Sequence, residues 1–149
     1  LSFAILAAIE EFFKFGAARL VAEDHKGDFD EPVDAMIYMV VAALGFATIE
    51  NIAAAANAGP IAFETITLRF IGATLLHTLS SGLLGYYWAI SFLKDSYRPL
   101  LTGFALATLL HTVFNYLILR FEPAVVPTAF LLIFALFVLH DFEELKHTK

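Results

Sequence analysis

Short polar motifs lie inside stretches of the chain that are otherwise apolar, and their residue types are those that activate water or bind metal ions. They are Glu10-Glu11 with Lys14, Glu50-Asn51, His77 with Ser80-Ser81, and His111 with Asn115, together with an isolated Arg69. A charged side chain near the centre of a bilayer costs roughly 2.5–3.5 kcal/mol on insertion scales, and such groups are kept when they are paired, face a cavity or do chemistry. Their placement therefore predicts a functional site within the membrane.

The two adjacent glutamates are candidates for a general base. Consecutive residues of a helix point about 100° apart, so one of Glu10 and Glu11 can face a cavity while the other braces it. Lys14 lies four residues after Glu10 on the same face, and we expect it to act as a counter-ion that makes the glutamates tolerable. Glu10 or Glu11 is therefore predicted to activate a water molecule.

The two histidines are candidates for proton transfer and for charge stabilisation. His77 and Ser81 are four residues apart, as are His111 and Asn115, so each pair shares one helical face. We expect His77 to assist proton transfer, and His111 with Asn115 to stabilise an oxyanion. Together with a base, these groups would suffice for peptide hydrolysis.

The same residue types could instead hold a metal ion. The chain has no cysteine, so the ligands would be histidine and carboxylate. His77 and His111 with one or two of Glu10, Glu11 and Glu50 match the donors that zinc accepts in catalytic sites. The ligands are then expected among Glu11, Glu50, His77 and His111. Asn51 is expected to support the site. There is no HExxH motif, so carboxylate-activated and metal-activated water both stay open.

Composition places these motifs in a membrane protein. Hydrophobic residues make up 60% of the 149 residues, charged residues 16%, and the mean hydropathy is +0.77. With spans of about 20 residues each, the length allows about five. We expect an all-α, multi-pass transmembrane bundle forming a single domain, and forming part of a longer bundle. Apolar runs between breakers predict helices at 2–21, 33–57, 61–93, 99–121 and 124–142.

The distribution of lysine and arginine predicts the orientation of the bundle. The polar linker 22–32 and the C-terminal tail lie on the side that carries most of these residues, which the positive-inside rule places in the cytoplasm. The net charge of −6 gives no argument for nucleic-acid binding. The other side carries Arg120, with Arg69 as a further candidate, whereas the cytoplasmic side carries Arg19, Lys26, Lys94, Arg98, Lys146 and Lys149.

Taken together, the motifs resemble those of the PrsW intramembrane proteases, which are related to the CAAX-prenyl endopeptidase and bacteriocin-processing superfamily. Residues 10–14 (EEFFK) resemble the family's EExxK, residues 45–51 (GFATIEN) its GFAxxEN, and residues 111–115 (HTVFN) its HxxxN; His77 provides the fourth element. In the CAAX branch the second motif is FxxxH, whereas here Phe46 is followed by Glu50.

This resemblance implies an activity, a substrate class and a location. It implies that the paired glutamates and the two histidines form the active site of a protease in a prokaryotic inner membrane. The implied substrate is a membrane-bound protein, typically an anti-sigma factor or another single-span protein. The metal, the scissile bond and the oligomeric state are left open.

Two other functions fit the same polar motifs. A proton- or ion-coupled transporter would also carry Glu and His within its spans, but the sequence lacks the inverted repeats and paired broken helices that transporters often show. A membrane receptor that binds a peptide without cutting it is the third reading. Glu64 and Arg69 are expected at an interfacial entry to the third helix, without a chemical role.

Overall fold

Five α-helices make up nearly all of the chain that the computed structural model describes, namely residues 2–25, 27–61, 63, 67, 69–121 and 125–148. The predicted all-α bundle of about five helices is confirmed, and the described residues contain no strand. Lys26, Glu64, the Glu122-Pro123 connection and Lys149 lie outside the described residues. The helices are α1 (Ser2–Asp24), α2 (Asp34–Ala58), α3 (Leu75–Leu93), α4 (Tyr97–Arg120) and α5 (Val125–Lys146).

Local signals in the sequence explain where α2 ends and α4 begins. Gly59 follows α2 with a φ of +59°, a conformation that costs glycine little, and Pro60 cannot continue the helix. Ser96 precedes α4 with an extended backbone, and its hydroxyl accepts a hydrogen bond from the backbone N–H of Arg98 at 3.4 Å. These glycine, proline and serine residues therefore mark the boundaries between the apolar runs.

The segment 61–93, predicted as one helix, changes its helical type where it is described. A 3₁₀ turn covers Gly59–Ile61, a π-helical stretch covers Phe70–Thr74, and regular α3 starts at Leu75. Short π-helical turns are rare overall, but those that occur inside α-helices are often found at functional sites. This one ends at Thr74, three residues before His77.

Helix α3 lies at the centre of the bundle. It contacts the other four helices, and 12 of its 19 residues are buried. A Cβ added at Gly85 would lie 2.7 Å from the Cα of Met36, and one added at Gly103 would lie 2.5 Å from the Cβ of Tyr87. The missing side chains therefore let α2 and α4 pack directly against α3.

The outer surface of the bundle is largely apolar. On α1, Phe12 and Phe13 are 63% and 65% exposed, and similar apolar side chains cover the outer faces of the neighbouring helices. Within the described part of the chain, three helices are long and apolar enough to cross a membrane: Asp34–Ile61, Tyr97–Arg120 and Val125–Lys146. An apolar exterior of this extent is suited to lipid rather than to water.

Candidate active site

Four helices bring the predicted site residues together inside the bundle. Glu10 and Glu11 come from α1, Glu50 from α2, His77 from α3 and His111 from α4. The two imidazole rings face each other edge to face, with their centroids 5.0 Å apart. Residues far apart in the sequence thus share one polar interior.

One part of this interior is a closed cluster of four side chains, Glu11, Lys14, Ser80 and Ser81, each at most 2% exposed. The Glu11 Oε1 atom accepts hydrogen bonds from Lys14 Nζ at 2.6 Å and from Ser80 Oγ at 2.8 Å. Its Oε2 atom accepts one from Ser81 Oγ at 3.0 Å. Both carboxylate oxygens are thus engaged, which is the condition under which a buried charge is tolerated.

His111 joins the closed cluster to Glu10. Its Nδ1 atom lies 3.2 Å from Glu11 Oε1. Since an ionised carboxylate only accepts, Nδ1 carries the proton and donates it. The Nε2 atom then presents its lone pair, and it lies 3.4 Å from Glu10 Oε2. Metal-binding histidines commonly donate a hydrogen bond from the ring nitrogen that does not bind the metal to a carboxylate, as His111 Nδ1 does to Glu11, and this contact orients the ring.

Glu10 carries the unpaired oxygen of the site. Its side chain is 22% exposed, but its Oε2 atom is buried and has no hydrogen-bond partner among the described residues. The contact with His111 Nε2, at 3.4 Å, is not aligned as a hydrogen bond. Buried polar atoms are rarely left unpaired, so this oxygen is suited to take a proton or to bind a cation.

His77 connects the closed cluster to the residues of α2. Lys14 Nζ lies 3.2 Å from His77 Nδ1. An ammonium group only donates, so Nδ1 accepts from it. The ring then carries its proton at Nε2, which donates to Glu50 Oε2 at 2.8 Å. Both nitrogens of His77 are therefore engaged in this arrangement.

The second part of the interior is an open cluster of Glu50, Asn51, Arg69 and Thr74, all partly exposed. Arg69 donates from Nε to Asn51 Oδ1 at 3.0 Å and from Nη2 to Glu50 Oε2 at 3.5 Å. Asn51 in turn donates to Thr74 Oγ1 at 3.0 Å. The side chains of Glu50 and Arg69 are 34% and 33% exposed, so this cluster is not enclosed by the bundle.

Sequence reasoning assigned no chemistry to Arg69, which the structure places against Glu50 and Asn51. The signal was present, because an arginine at membrane depth calls for a carboxylate partner. The sequence did not show which residues of α2 the Arg69 side chain would face. The π-helical turn that begins at Phe70 changes the rotation of the helix between Arg69 and His77.

Three of these residues form a group that could hold a metal ion. One ligand atom each from Glu10, His77 and His111 can be chosen so that all lie within 4.8 Å of one another. The carboxylate in this group is Glu10, which was one of three candidate carboxylates, with Glu11 and Glu50 preferred. Glu11 is engaged by the closed cluster, and Glu50 is held by His77 and Arg69.

The structure gives partners that spacing along single helices did not specify. Lys14 pairs with Glu11, three residues earlier, rather than with Glu10. Asn115 lies one turn beyond His111 on α4 and is half-buried, and no hydrogen bond of its side chain occurs among the described residues. The role of His111 and Asn115 as oxyanion donors stays a prediction.

Comparisons with known proteins agree with the motifs. A family model described as the PrsW family intramembrane metalloprotease matches residues 1–140. Protease PrsW of Geobacillus kaustophilus is 34% identical over 123 residues, which cover 81% of this chain and 53% of the relative. Protease PrsW of Oceanobacillus iheyensis is 32% identical over 119 residues, with coverages of 78% and 54%. No solved structure matches.

The chain spans about half the length of these curated relatives. The match nevertheless includes all four polar motifs, since the family model covers residues 1–140. With three helices able to cross a bilayer among the described residues, the chain is an integral membrane protein.

Proposed function

Because the chain belongs to the PrsW family of intramembrane proteases, we propose that it takes part in hydrolysing a peptide bond of a membrane-bound, single-span protein, at a site formed by Glu10, Glu50, His77 and His111. The observation that carries this proposal is the buried, unpaired Oε2 atom of Glu10 beside the lone pair of His111 Nε2. A buried acceptor without a partner, next to a Glu11 carboxylate whose two oxygens both accept hydrogen bonds, is suited to a ligand or a proton.

The donor set fits a divalent metal ion such as zinc. Glu10, His77 and His111 offer one carboxylate and two imidazoles, a set known from catalytic zinc sites, and the orphaned Glu10 oxygen would gain a partner. A metal held there supplies Lewis acidity, which makes water a stronger nucleophile at neutral pH. This favours the metallo-type reading over a purely carboxylate-activated water.

His77 must exchange protons before its Nε2 atom can act as a ligand. The Nε2 proton passes to Glu50, which already accepts it in a 2.8 Å hydrogen bond and is open to water. Lys14 passes a proton to Nδ1 across 3.2 Å, so the ring stays neutral with its lone pair at Nε2. The two transfers together neutralise one carboxylate and one ammonium, and the net charge of the site is unchanged.

Glu50 is the carboxylate that remains for general base catalysis. Its Oε2 atom contacts His77 and Arg69, and its Oε1 atom has no hydrogen bond to a described residue. Once Glu50 has released the His77 proton to water, Oε1 takes a proton from the water whose oxygen bonds to the peptide carbonyl carbon. Glu50 then returns that proton to the nitrogen as the C–N bond breaks, so it acts first as base and then as acid.

Glu11 and Arg69 are positioning residues in this scheme. Glu11 fixes the Nδ1–H tautomer of His111, and therefore the direction of its Nε2 lone pair. Arg69 holds Glu50 against His77. Neither residue needs to touch the substrate.

Metal content of the purified full-length protein, measured by elemental mass spectrometry, tests the site. We expect about one divalent metal ion per chain, lost in Glu10→Gln and in His111→Ala. His140→Ala is the matched control, because His140 is exposed on α5 and outside the site. Full cleavage of a single-span fluorogenic substrate by metal-free protein would overturn the metal assignment. An unchanged rate in both Glu10→Gln and Glu50→Gln would overturn the site.

A further inference from the structure

A cleft of about 620 Å³ opens at the end of the bundle where α1 and α3 finish and α4 begins. Its volume lies within the roughly 300–1,000 Å³ that is typical of ligand pockets. None of the proposed active-site residues lines it. The cleft is therefore a separate feature of the molecule, without a role so far.

The floor of the cleft is aromatic. Trp88 is 4% exposed and packs at tilted angles against Phe29 and Phe92, at ring-centroid distances of 5.2 and 5.6 Å. Phe92 is 53% exposed, and Tyr97 lies at the mouth and is 80% exposed. Exposed aromatic faces such as these two attract the ammonium and guanidinium groups of lysine and arginine.

The rim of the cleft is acidic. Among the described lining residues the only cation is Arg19, and Glu23 already pairs with it at 2.8 Å. Asp30 and Glu31 are exposed, and neither side chain makes a hydrogen bond to a described residue. The lining carboxylates come from α1, the linker and the turn before α4: Glu23, Asp30, Glu31 and Asp95.

The linker that carries two of these carboxylates is held in place. The backbone N–H groups of Asp30 and Glu31 donate to Asp34 Oδ2 at 3.1 and 2.8 Å. Their side chains are thus presented to the cleft by a fixed backbone. The negative rim and the aromatic floor together complement a positively charged, partly apolar segment.

We propose that this acidic cleft, formed by Glu23, Asp30, Glu31 and Asp95 above Trp88, binds the lysine- or arginine-rich segment that flanks the transmembrane helix of the substrate. The inference rests on the proposed function, since it gives the cleft a part in capturing the same substrate. Membrane proteins carry an excess of lysine and arginine beside the cytoplasmic ends of their spans. The cleft lies at the end of the bundle that is predicted to be cytoplasmic.

The position of the cleft relates the basic segment to the bond that is cut. On α1, Arg19 and Ala22 line the cleft about three turns after Glu10, and on α3, Trp88 and Phe92 do so three to four turns after His77. At about 1.5 Å per residue the separation is roughly 14–23 Å along the bundle axis. A substrate held at the cleft would therefore be cut at a fixed distance inside the membrane from its basic segment.

Tryptophan fluorescence tests the binding step directly, because Trp88 is the only tryptophan of this chain. The probe is a tryptophan-free, single-span synthetic peptide whose flank carries a run of lysines, compared with the same peptide carrying glutamines. The full-length protein in nanodiscs should bind the lysine peptide about tenfold more tightly, as loss of one or two partly solvated ion pairs would give. Trp88→Phe should remove the signal.

A charge swap makes the test specific. The double variant Asp30→Lys/Glu31→Lys keeps the backbone contacts to Asp34, and it should bind the lysine peptide about tenfold more weakly while gaining affinity for a glutamate-flanked peptide. Glu143→Lys is the matched control, because Glu143 is exposed at the same end of the bundle and outside the cleft. It should leave both affinities unchanged.

Cleavage of the same peptides, followed by mass spectrometry, separates the two proposals. Shifting the lysine run by one helical turn should shift the cut by the same number of residues. Binding of the lysine peptide at Trp88 without any cleavage would overturn the proposed function and leave the acidic cleft standing. Equal binding of lysine and glutamine peptides would overturn the cleft. So would a Trp88 shift caused by phosphatidylethanolamine lipid alone and unaffected by peptide.

Discussion

The closed cluster around Glu11 and the open cluster around Glu50 are built from similar residues but differ in how their hydrogen bonds are used. In the closed cluster the side chains are at most 2% exposed and both oxygens of Glu11 accept hydrogen bonds. In the open cluster Glu50 and Arg69 are about one-third exposed, and Glu50 has one oxygen without a described partner.

This difference shows how one polar interior serves two purposes. A buried charge is stable only when partners replace the water it has lost, so the closed cluster mainly fixes positions, and in the proposed scheme only its Lys14 exchanges a proton, with His77. A group that exchanges protons with a substrate needs a free atom that is not enclosed, and Glu50 of the open cluster provides one. His77 and His111 lie between the two clusters, and the Nδ1 atom of each ring contacts a residue of the closed cluster.

The largest expected effect is on catalysis, from a change in the open cluster. Glu50→Gln removes the proposed base without changing the shape of the side chain. The cleavage rate should fall about 10²–10⁴-fold, the usual contribution of a general base, while the melting temperature stays near that of the wild type. Cleavage of a single-span fluorogenic substrate and thermal unfolding in the same detergent measure the two quantities. A loss of stability as large as that expected for Glu11→Gln would contradict the functional difference between the two clusters.

A change in the closed cluster should act mainly on stability. Glu11→Gln leaves the Lys14 ammonium buried without its carboxylate, which should lower the free energy of unfolding by about 3–5 kcal/mol. The double variant Glu11→Gln/Lys14→Met removes both charges and should recover most of that loss. Its activity should stay low, because His111 and His77 have lost the groups that fix their tautomers. Denaturant unfolding measures the stability; if the double variant recovers full activity, the closed cluster does not position the histidines.

Packing of α2 on α3 holds the two clusters together, and a substitution at Gly85 tests this packing with a smaller expected effect. A methyl group there would meet the α2 backbone at Met36 and Ala35, at 2.7 and 2.8 Å. Gly85→Ala should therefore lower the unfolding free energy by about 1–3 kcal/mol and weaken activity by separating Glu50 from His77. Gly16→Ala is the control, since an added Cβ meets nothing within 4 Å there and alanine favours helix. Equal stabilities for the two variants would contradict the packing of α2 on α3.

The smallest expected effect comes from Arg69. Arg69→Gln should lower the cleavage rate about tenfold, because Glu50 loses a group that holds it against His77. Arg69→Lys keeps the charge and should recover part of the rate. The effect should fall on kcat more than on KM, and the pH dependence of kcat should change in the glutamine variant, as expected if Arg69 acts through Glu50. A change in KM alone would make Arg69 a substrate contact.

The fold and the family could be predicted from the sequence for local reasons. Apolar runs bounded by residues such as Gly59, Pro60 and Ser96 mark helices regardless of how those helices pack. The four polar motifs lie within single helices, so their order and spacing are readable along the chain. The family match confirms that part of the prediction.

Contacts between helices were beyond the reach of the same reasoning. Spacing placed Lys14 on a face with Glu10, but packing against α3 brings Ser80 and Ser81 to Glu11 and draws Lys14 to the same carboxylate. Spacing also placed Asn115 on the face of His111, and it did not show that the hydrogen-bond partner of His111 comes from α1. A short pattern states which residues share a helical face and not what that face meets.

By itself the sequence determined that this is a helical membrane protein with ionisable residues at membrane depth, because apolar periodicity and the cost of buried charge are properties of single helices. Tertiary structure decided that both oxygens of Glu11 accept hydrogen bonds, whereas the buried Oε2 atom of Glu10 has no partner among the described residues. Glu10 and Glu11 have the same chemistry and adjacent positions, and only the direction of α3 relative to α1 gives one of them a full set of donors. It also decided that Arg69 reaches Glu50, because the turn at Phe70–Thr74 sets that register.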